Sequence, residues 1–250
     1  MHRITAEECY KIWADYRSNY PQFRPFTLSQ QQQQLIGNKF WNVITTQNGQ
    51  DFDDYSVGDD NKVEKYCKDI PKGSAVLFLG TGTGRETKVA LDMGLNAVGL
   101  TLGSRNVEFG KRYLGLTDQM HWEGICEILP YPKETFDAIF GFQIFEHAMA
   151  PMLFLLEQGR VLKPNGKLML EWPPAKDYTM GDNPHHQVCF TPGQAHALFL
   201  KAGFKDVKLY FADGSTVPEE ELWRGDQNQM ICIEGTKGSA HHEHIRRAWQ

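Results

Sequence analysis

The stretch from Val76 to Thr87 constrains the fold of this chain more than any other part of it. Four apolar residues at 76–79 are typical of a short buried strand, and apolar residues return at helical spacing after Arg85. Three glycines join the two patterns at alternate positions: Gly80, Gly82 and Gly84. Glycine tolerates positive φ and leaves the backbone open to a ligand, and a helix start offers free N–H groups. The stretch predicts a strand–turn–helix unit that binds a nucleotide-type ligand; a tight connection without a ligand is the alternative.

Two common phosphate-binding motifs do not match this stretch. The dinucleotide pattern G-x-G-x-x-G needs a third glycine at position 85, which is Arg85. It also needs an acidic residue about twenty positions further on, and the next predicted strand ends at Thr101 instead. The Gly-Lys-Ser/Thr of a phosphate-binding P-loop is absent. The spacing G-x-G-x-G therefore indicates a different ligand.

Extended and helical patterns alternate from position 59 onward. The predicted helices cover 60–70, 85–93, 104–114, 151–162 and 192–202. The predicted strands cover 76–79, 97–101, 120–122, 136–142, 167–172, 206–211 and 229–234. This alternation predicts an α/β fold with a doubly wound, mostly parallel seven-stranded sheet. In such sheets ligands bind beyond the carboxyl ends of the strands, where the glycines lie.

Composition restricts the class of partner and the compartment. The chain has 250 residues and a net charge of −5, which gives no general attraction to nucleic acid. No apolar run approaches the length of a membrane span. Its five cysteines are scattered and form no C-x-x-C, which fits a reducing compartment. We therefore expect a cytoplasmic protein without a nucleic-acid partner; the oligomeric state stays open.

The chain divides into three predicted parts. Residues 1–57 form an N-terminal element whose aromatic residues either cover the mouth of a pocket or pack on the core, residues 58–236 form the ligand-binding domain, and residues 237–250 form a polar tail. The tail contains His241, His242 and His244, which we interpret as a frayed end without a metal. No metal site is predicted.

Several motifs together resemble the class I S-adenosylmethionine-dependent methyltransferases of the ubiquinone/menaquinone type. The G-x-G-x-G run is similar to the first motif of that family, and Phe145-Glu146-His147 resembles the segment after its fourth strand. Further similar runs are Leu129–Pro132, Arg160–Gly166 and Phe190–Pro192. The resemblance covers about 74–211 and implies a Rossmann-like fold with S-adenosyl-L-methionine as the cofactor.

The resemblance also implies the residues of the site. Those expected to bind the cofactor are Gly80, Thr81, Gly82, Gly84, Thr101, Leu102, Asn106, Ile125, Cys126 and Phe142. His147 is the expected catalytic base. His185 and His186, in the loop after the fifth strand, are the expected substrate-binding residues.

Three positions depart from the family pattern, because Phe78, Thr101 and Ile125 stand where acidic residues are usual. The run from Thr101 to Asn106 instead resembles the cyclopropane-fatty-acid-synthase-like methyltransferases, in which threonine is normal. Three functions therefore stay open: a methyltransferase acting on a small-molecule or precursor acceptor, a non-catalytic binding protein with a degenerate cofactor site, and a cyclopropane-synthase-like enzyme acting on lipid.

Overall fold

The computed structural model describes residues 60–101, 104–175 and 186–238. The predicted N-terminal element at 1–57 lies outside the described residues, and so do Leu102, His185 and nearly all of the predicted tail. Among the described residues, no helix is both long enough and apolar enough to cross a membrane.

Helices and strands alternate along the described chain as the sequence predicts. The helices are α1 (Asp60–Cys67), α2 (Arg85–Asp92), α3 (Ser104–Leu114), α4 (Pro151–Val161) and α5 (Pro192–Lys201). The strands are β1 (Ala75–Leu79), β2 (Asn96–Thr101), β3 (His121–Glu123), β4 (Phe136–Phe142), β5 (Leu162–Trp172), β6 (Phe204–Phe211) and β7 (Ile231–Lys237). Short 3-10 helices cover Phe145–His147 and Glu219–Glu221.

The seven described strands form one sheet in the order β3-β2-β1-β4-β5-β7-β6. The first five in this order pair in parallel, and β7 pairs antiparallel with both β5 and β6. The carboxyl ends of β1, β2, β4 and β5 therefore meet at one edge, above which the glycine loop begins. The predicted fold class is confirmed.

Some element ends differ from the prediction for local reasons. β5 begins at Leu162, five residues early, because Leu162 already pairs with Phe136 before the Pro-Asn-Gly segment shifts the register. β7 covers Ile231–Lys237 instead of 229–234. The loop before it is held outside the sheet by Gln227, whose side-chain amide donates to the carbonyls of Glu221 and Arg224.

The sheet is covered on both faces by apolar side chains. One face packs against α4 and α5 around a cluster of large aromatic residues: Phe145, Phe154, Trp172, Phe190 and Phe199. The other face packs against α1 and α2 and contains Phe78, whose ring stacks on that of Phe140 at 5.4 Å. Phe78, where the family usually has an acidic residue, is therefore a core residue here.

A fully buried histidine, His121 at the start of β3, packs among three glycines from separate elements. A Cβ added at Gly110, inside α3, would lie 2.7 Å from the ring atom Nδ1. Added Cβ atoms at Gly84 and Gly99 would lie 2.9 Å and 3.2 Å from the same ring. Glycine weakens helix interiors, so its presence at 110 is explained by the space this ring needs. At 99 an added Cβ would collide first with the hydroxyl of Thr87, and the ring lies beyond it. The ring lies against Gly84, the residue that precedes α2.

We predict that Gly110→Ala destabilises the fold, although this change in a helix interior usually stabilises by ~0.5–1 kcal/mol. The added methyl would overlap the His121 ring and the carbonyl oxygen of Thr83, at 2.9 Å. Overpacking of this kind costs about 1–3 kcal/mol, measurable by urea unfolding. In a His121→Ala background the same substitution should cost less, because the overlap with the ring is gone and only that with the Thr83 carbonyl remains. A stabilised Gly110→Ala single variant would contradict this packing.

We also predict that acid destabilises the fold through His121. Burial lowers the pKa of His121 to about 4. The unfolded chain therefore takes up the proton near pH 6.5, well before the folded chain does, and stability falls as the pH drops toward 4. With a pKa near 6.5 in the unfolded chain and about 4 in the folded chain, the free energy of unfolding falls by about 2 kcal/mol at pH 5. The measurement is urea unfolding of the parent and of His121→Gln between pH 7 and 4. If the free energy of unfolding falls equally with pH in the two proteins, the prediction is wrong.

Candidate active site

The glycine loop after β1 provides an open cradle at the carboxyl edge of the sheet. Gly80, Gly82 and Gly84 all have positive φ, at 68°, 50° and 90°. A Cβ added at Gly82 would meet no atom within 4 Å, so the space above this residue is free for a ligand. The base of the loop is fixed, because the backbone N–H of Thr81 donates to the carbonyl of Leu100 at 3.0 Å.

Two of the predicted cofactor residues, Thr101 and Asn106, contact each other. The side-chain amide of Asn106 donates to the hydroxyl of Thr101 over 3.3 Å. Thr101 ends β2, the strand beside β1, which places it next to the glycine loop. Both side chains are buried, with 4% and 0% of their surface exposed. Their expected contact with the cofactor stays a prediction.

Three other predicted cofactor residues are described. Ile125 is half-buried, Cys126 is a core residue, and Phe142 is half-buried and packs against the core. Cys126 lies in the core on the α4 face, where its carbonyl accepts a hydrogen bond from Gln158 at 2.7 Å. Phe142 lies on the α1 face, where its ring stacks on Tyr66 at 5.8 Å. The described contacts of Cys126 and Phe142 are packing contacts, and their predicted role toward a cofactor is untested.

The loops that follow β4 and β5 are joined to each other. The rings of Phe145 and Phe190 stack with centroids 4.4 Å apart and planes 14° apart. The carbonyl of Glu146 accepts hydrogen bonds from the backbone N–H groups of Gln187, at 2.9 Å, and Val188, at 3.2 Å. These contacts fix the position of His186, the residue before Gln187, relative to the Glu146-His147 pair.

Glu146, His147 and His186 therefore form one cluster, which we call the His–Glu cluster. The rings of His147 and His186 have centroids 4.7 Å apart and are perpendicular. One donor atom from each of the three side chains lies within 4.8 Å of the others. Glu146 is 2% exposed, and its carboxyl oxygens form no hydrogen bond among the described residues. Burial raises the pKa of this carboxyl to about 8.

The His–Glu cluster lies close to the glycine loop. Ile144, two residues before Glu146, packs directly on Gly80, where an added Cβ would lie 2.7 Å from its Cδ1. The predicted acceptor residues His147 and His186 are thus brought together beside the predicted cofactor loop. His185 lies outside the described residues.

A buried ion pair at the same edge was missed by sequence reasoning. Glu171, near the end of β5, is fully buried, and its carboxylate lies 2.5 Å from Nζ of Lys62 on α1. Gln143, with φ of 53°, donates a side-chain hydrogen bond to the same oxygen at 3.5 Å. The available signal was a lone charge in the apolar run Leu-Met-Leu-Glu-Trp. The carboxyl end of β5 is thereby connected to α1 and to the loop after β4.

The comparisons with known proteins agree with this geometry. Residues 77–170 match the family model described as a methyltransferase domain. A sterol 24-C-methyltransferase from Pneumocystis carinii is 29% identical over 154 residues, which cover 54% of this chain and 41% of that protein. A demethylmenaquinone methyltransferase from Tropheryma whipplei is 28% identical over 101 residues, covering 40% of this chain and 42% of that protein. The matches thus span less than half the length of these curated relatives.

The fold agrees as well. The solved structure of Haemonchus contortus phosphoethanolamine N-methyltransferase 2 in complex with S-adenosyl-L-methionine superposes with a TM-score of 0.58, at 16% identity. The superposition covers 72% of this chain and 52% of that one. At this identity it is evidence for the fold alone. Residues 77–170 thus match a methyltransferase domain in sequence, and the chain is similar to methyltransferases in its glycine loop and sheet order.

Proposed function

We propose that this protein transfers a methyl group from S-adenosyl-L-methionine to a small-molecule acceptor bound at the His–Glu cluster. The observation that carries the proposal is the position of this cluster. Two imidazoles and a buried carboxyl lie at the carboxyl ends of β4 and β5, and Ile144 connects them to the glycine loop. Ligands of doubly wound sheets bind at this edge.

The glycine loop suits the cofactor that the family uses. Its backbone is exposed above Gly82, and it meets the start of α2 at Gly84, which has no side chain to cap the helix. Bound S-adenosyl-L-methionine supplies an electrophilic methyl group. The protein's part is to hold the acceptor atom in line with that methyl, because alignment is the main requirement of a bimolecular transfer.

His147 and His186 are the residues we assign to the acceptor. A neutral imidazole accepts a proton near neutral pH, which an acceptor hydroxyl or amine must lose during transfer. The names of two relatives, a sterol and a demethylmenaquinone methyltransferase, favour an apolar small molecule as acceptor over a macromolecule.

A non-catalytic binding protein is the second candidate. It is favoured by Phe78, which belongs to the core, and by Thr101, which is almost completely buried. Neither position supplies the carboxylate that the family usually has there. Calorimetric titration with S-adenosylhomocysteine and a screen for transfer of radiolabelled methyl groups separate the two: binding without transfer to any acceptor supports the second candidate.

We predict that Gly82→Val abolishes binding of S-adenosylhomocysteine. The valine side chain would occupy the free space above the loop, where the ligand is proposed to lie. The matched control is Gly73→Val, since Gly73 also has positive φ, at 82°, and open space around its Cβ, but precedes β1 at the opposite edge. Both variants carry the same kind of backbone strain. Calorimetry should show loss of S-adenosylhomocysteine binding in Gly82→Val only. Equal affinities of the two variants would contradict the proposed cofactor site.

We predict that His147→Ala and His186→Ala lower turnover and leave the affinity for S-adenosylhomocysteine near the parent value. Loss of a base appears mainly in kcat and loss of an acceptor contact mainly in KM. A base of this type contributes about 10²–10⁴-fold to the rate. His196→Ala, on α5, is the control and should keep normal kinetics. If both variants turn over normally while folded, the acceptor is held elsewhere.

A further inference from the structure

We propose that Glu146, His147 and His186 form a binding site for a divalent first-row transition metal ion, with Zn²⁺ as the representative. Two imidazole nitrogens and one carboxylate oxygen are an established donor set for such ions. Nothing in the resemblance of this chain to its family assigns an ion here. The proposal arises from the side chains that the two loops bring together.

The distances suit a site that closes on an ion. The three donor atoms lie within 4.8 Å of one another, and ligand bonds of about 2.0–2.2 Å draw such atoms inward around a central ion. The perpendicular rings of His147 and His186 do not stack on each other, so their nitrogens can approach the ion from different directions. Small side-chain rotations therefore complete the geometry.

The buried carboxyl of Glu146 supplies an independent reason for a cation. It is 2% exposed, and its two oxygens have no hydrogen-bond partner in the described part of the chain. Burial keeps such a carboxyl protonated, and it ionises only when a positive charge lies beside it. Lys62, which neutralises the nearby Glu171, is already used there. A divalent ion between Glu146 and the two imidazoles supplies the missing charge.

The backbone holds the three ligands in place from two separate loops. Glu146 and His147 lie in the short 3-10 helix after β4, and His186 lies in the loop after β5. The hydrogen bonds from Gln187 and Val188 to the Glu146 carbonyl, with the stack of Phe145 on Phe190, connect these loops. Such supporting contacts are what a metal site needs around its first ligands.

Three protein ligands leave at least one coordination position open. An acceptor hydroxyl that bound there would release its proton to solvent water more readily, since a metal ion lowers the pKa of a coordinated oxygen. In this role the inference rests on the proposed function and deepens it: the imidazole nitrogens bind the ion in place of the proton, and the ion activates the acceptor. The binding of Zn²⁺ itself does not depend on methyl transfer.

The test is calorimetric titration of the full chain with Zn²⁺ after treatment with a chelator. The histidines at 241, 242 and 244 can also bind zinc, so the titration is repeated on a chain with all three changed to asparagine. In this background, Glu146→Gln and His186→Ala are compared with His196→Ala, a histidine outside the cluster. Circular dichroism confirms folding, and Glu146→Gln keeps the volume of the side chain. S-adenosylhomocysteine binding is measured on the same samples.

We expect one Zn²⁺ per chain, and a thermal midpoint that zinc raises in the background chain and in His196→Ala. Glu146→Gln and His186→Ala should each weaken zinc binding by more than about 100-fold, since loss of a mere supporting residue costs about 10–100-fold. Zinc binding that is absent from the background chain, or unchanged in Glu146→Gln, overturns the proposal. Zinc binding without methyl transfer overturns the proposed function and leaves the metal site intact.

Discussion

The site depends on the contact between the loops after β4 and β5. Phe145 stacks on Phe190, and the Glu146 carbonyl accepts two backbone hydrogen bonds from residues 187 and 188. An aromatic pair of this kind is worth about 0.5–1.5 kcal/mol beyond its burial. Without it, Glu146 and His186 would be carried by two independent loops, because neither lies in a strand. The apolar core and the polar cluster are therefore parts of one structure: the aromatic rings determine which polar groups meet.

Much of the fold could be predicted from periodicity. β4 was predicted with its observed ends, because seven residues of almost continuous apolar character follow a turn. The start of β7 lies two residues later than predicted, after a loop in which Gln227 donates to the carbonyls of Glu221 and Arg224; no periodicity in the sequence indicates these bonds. His121 was missed for the same kind of reason. A single histidine on a three-residue strand produces no periodic pattern. Only the folded chain brings glycines 84, 99 and 110 around its ring.

The site was only partly predictable. Sequence order places His147 and His186 after neighbouring strands, which puts both at one edge of the sheet. It does not show that Glu146 turns inward and becomes almost completely buried, since in the sequence it is an ordinary charged residue of a loop. The nearly continuous apolar run of β4 places Phe142 on the strand but not on a particular face, and the structure packs it against Tyr66 on α1.

The position of β7 has a consequence for how the chain reaches its native state. β7 lies between β5 and β6, and within the described sheet β6 pairs with no other strand. Until β7 is in place, β6 has no partner among the described strands, and the edge of β5 that β7 covers stays open. An open edge beside the apolar run of β5 is a template for association with other chains. Of the described strands, the last along the chain is thus the one that closes the sheet, and the chain is more exposed to aggregation before β7 has paired.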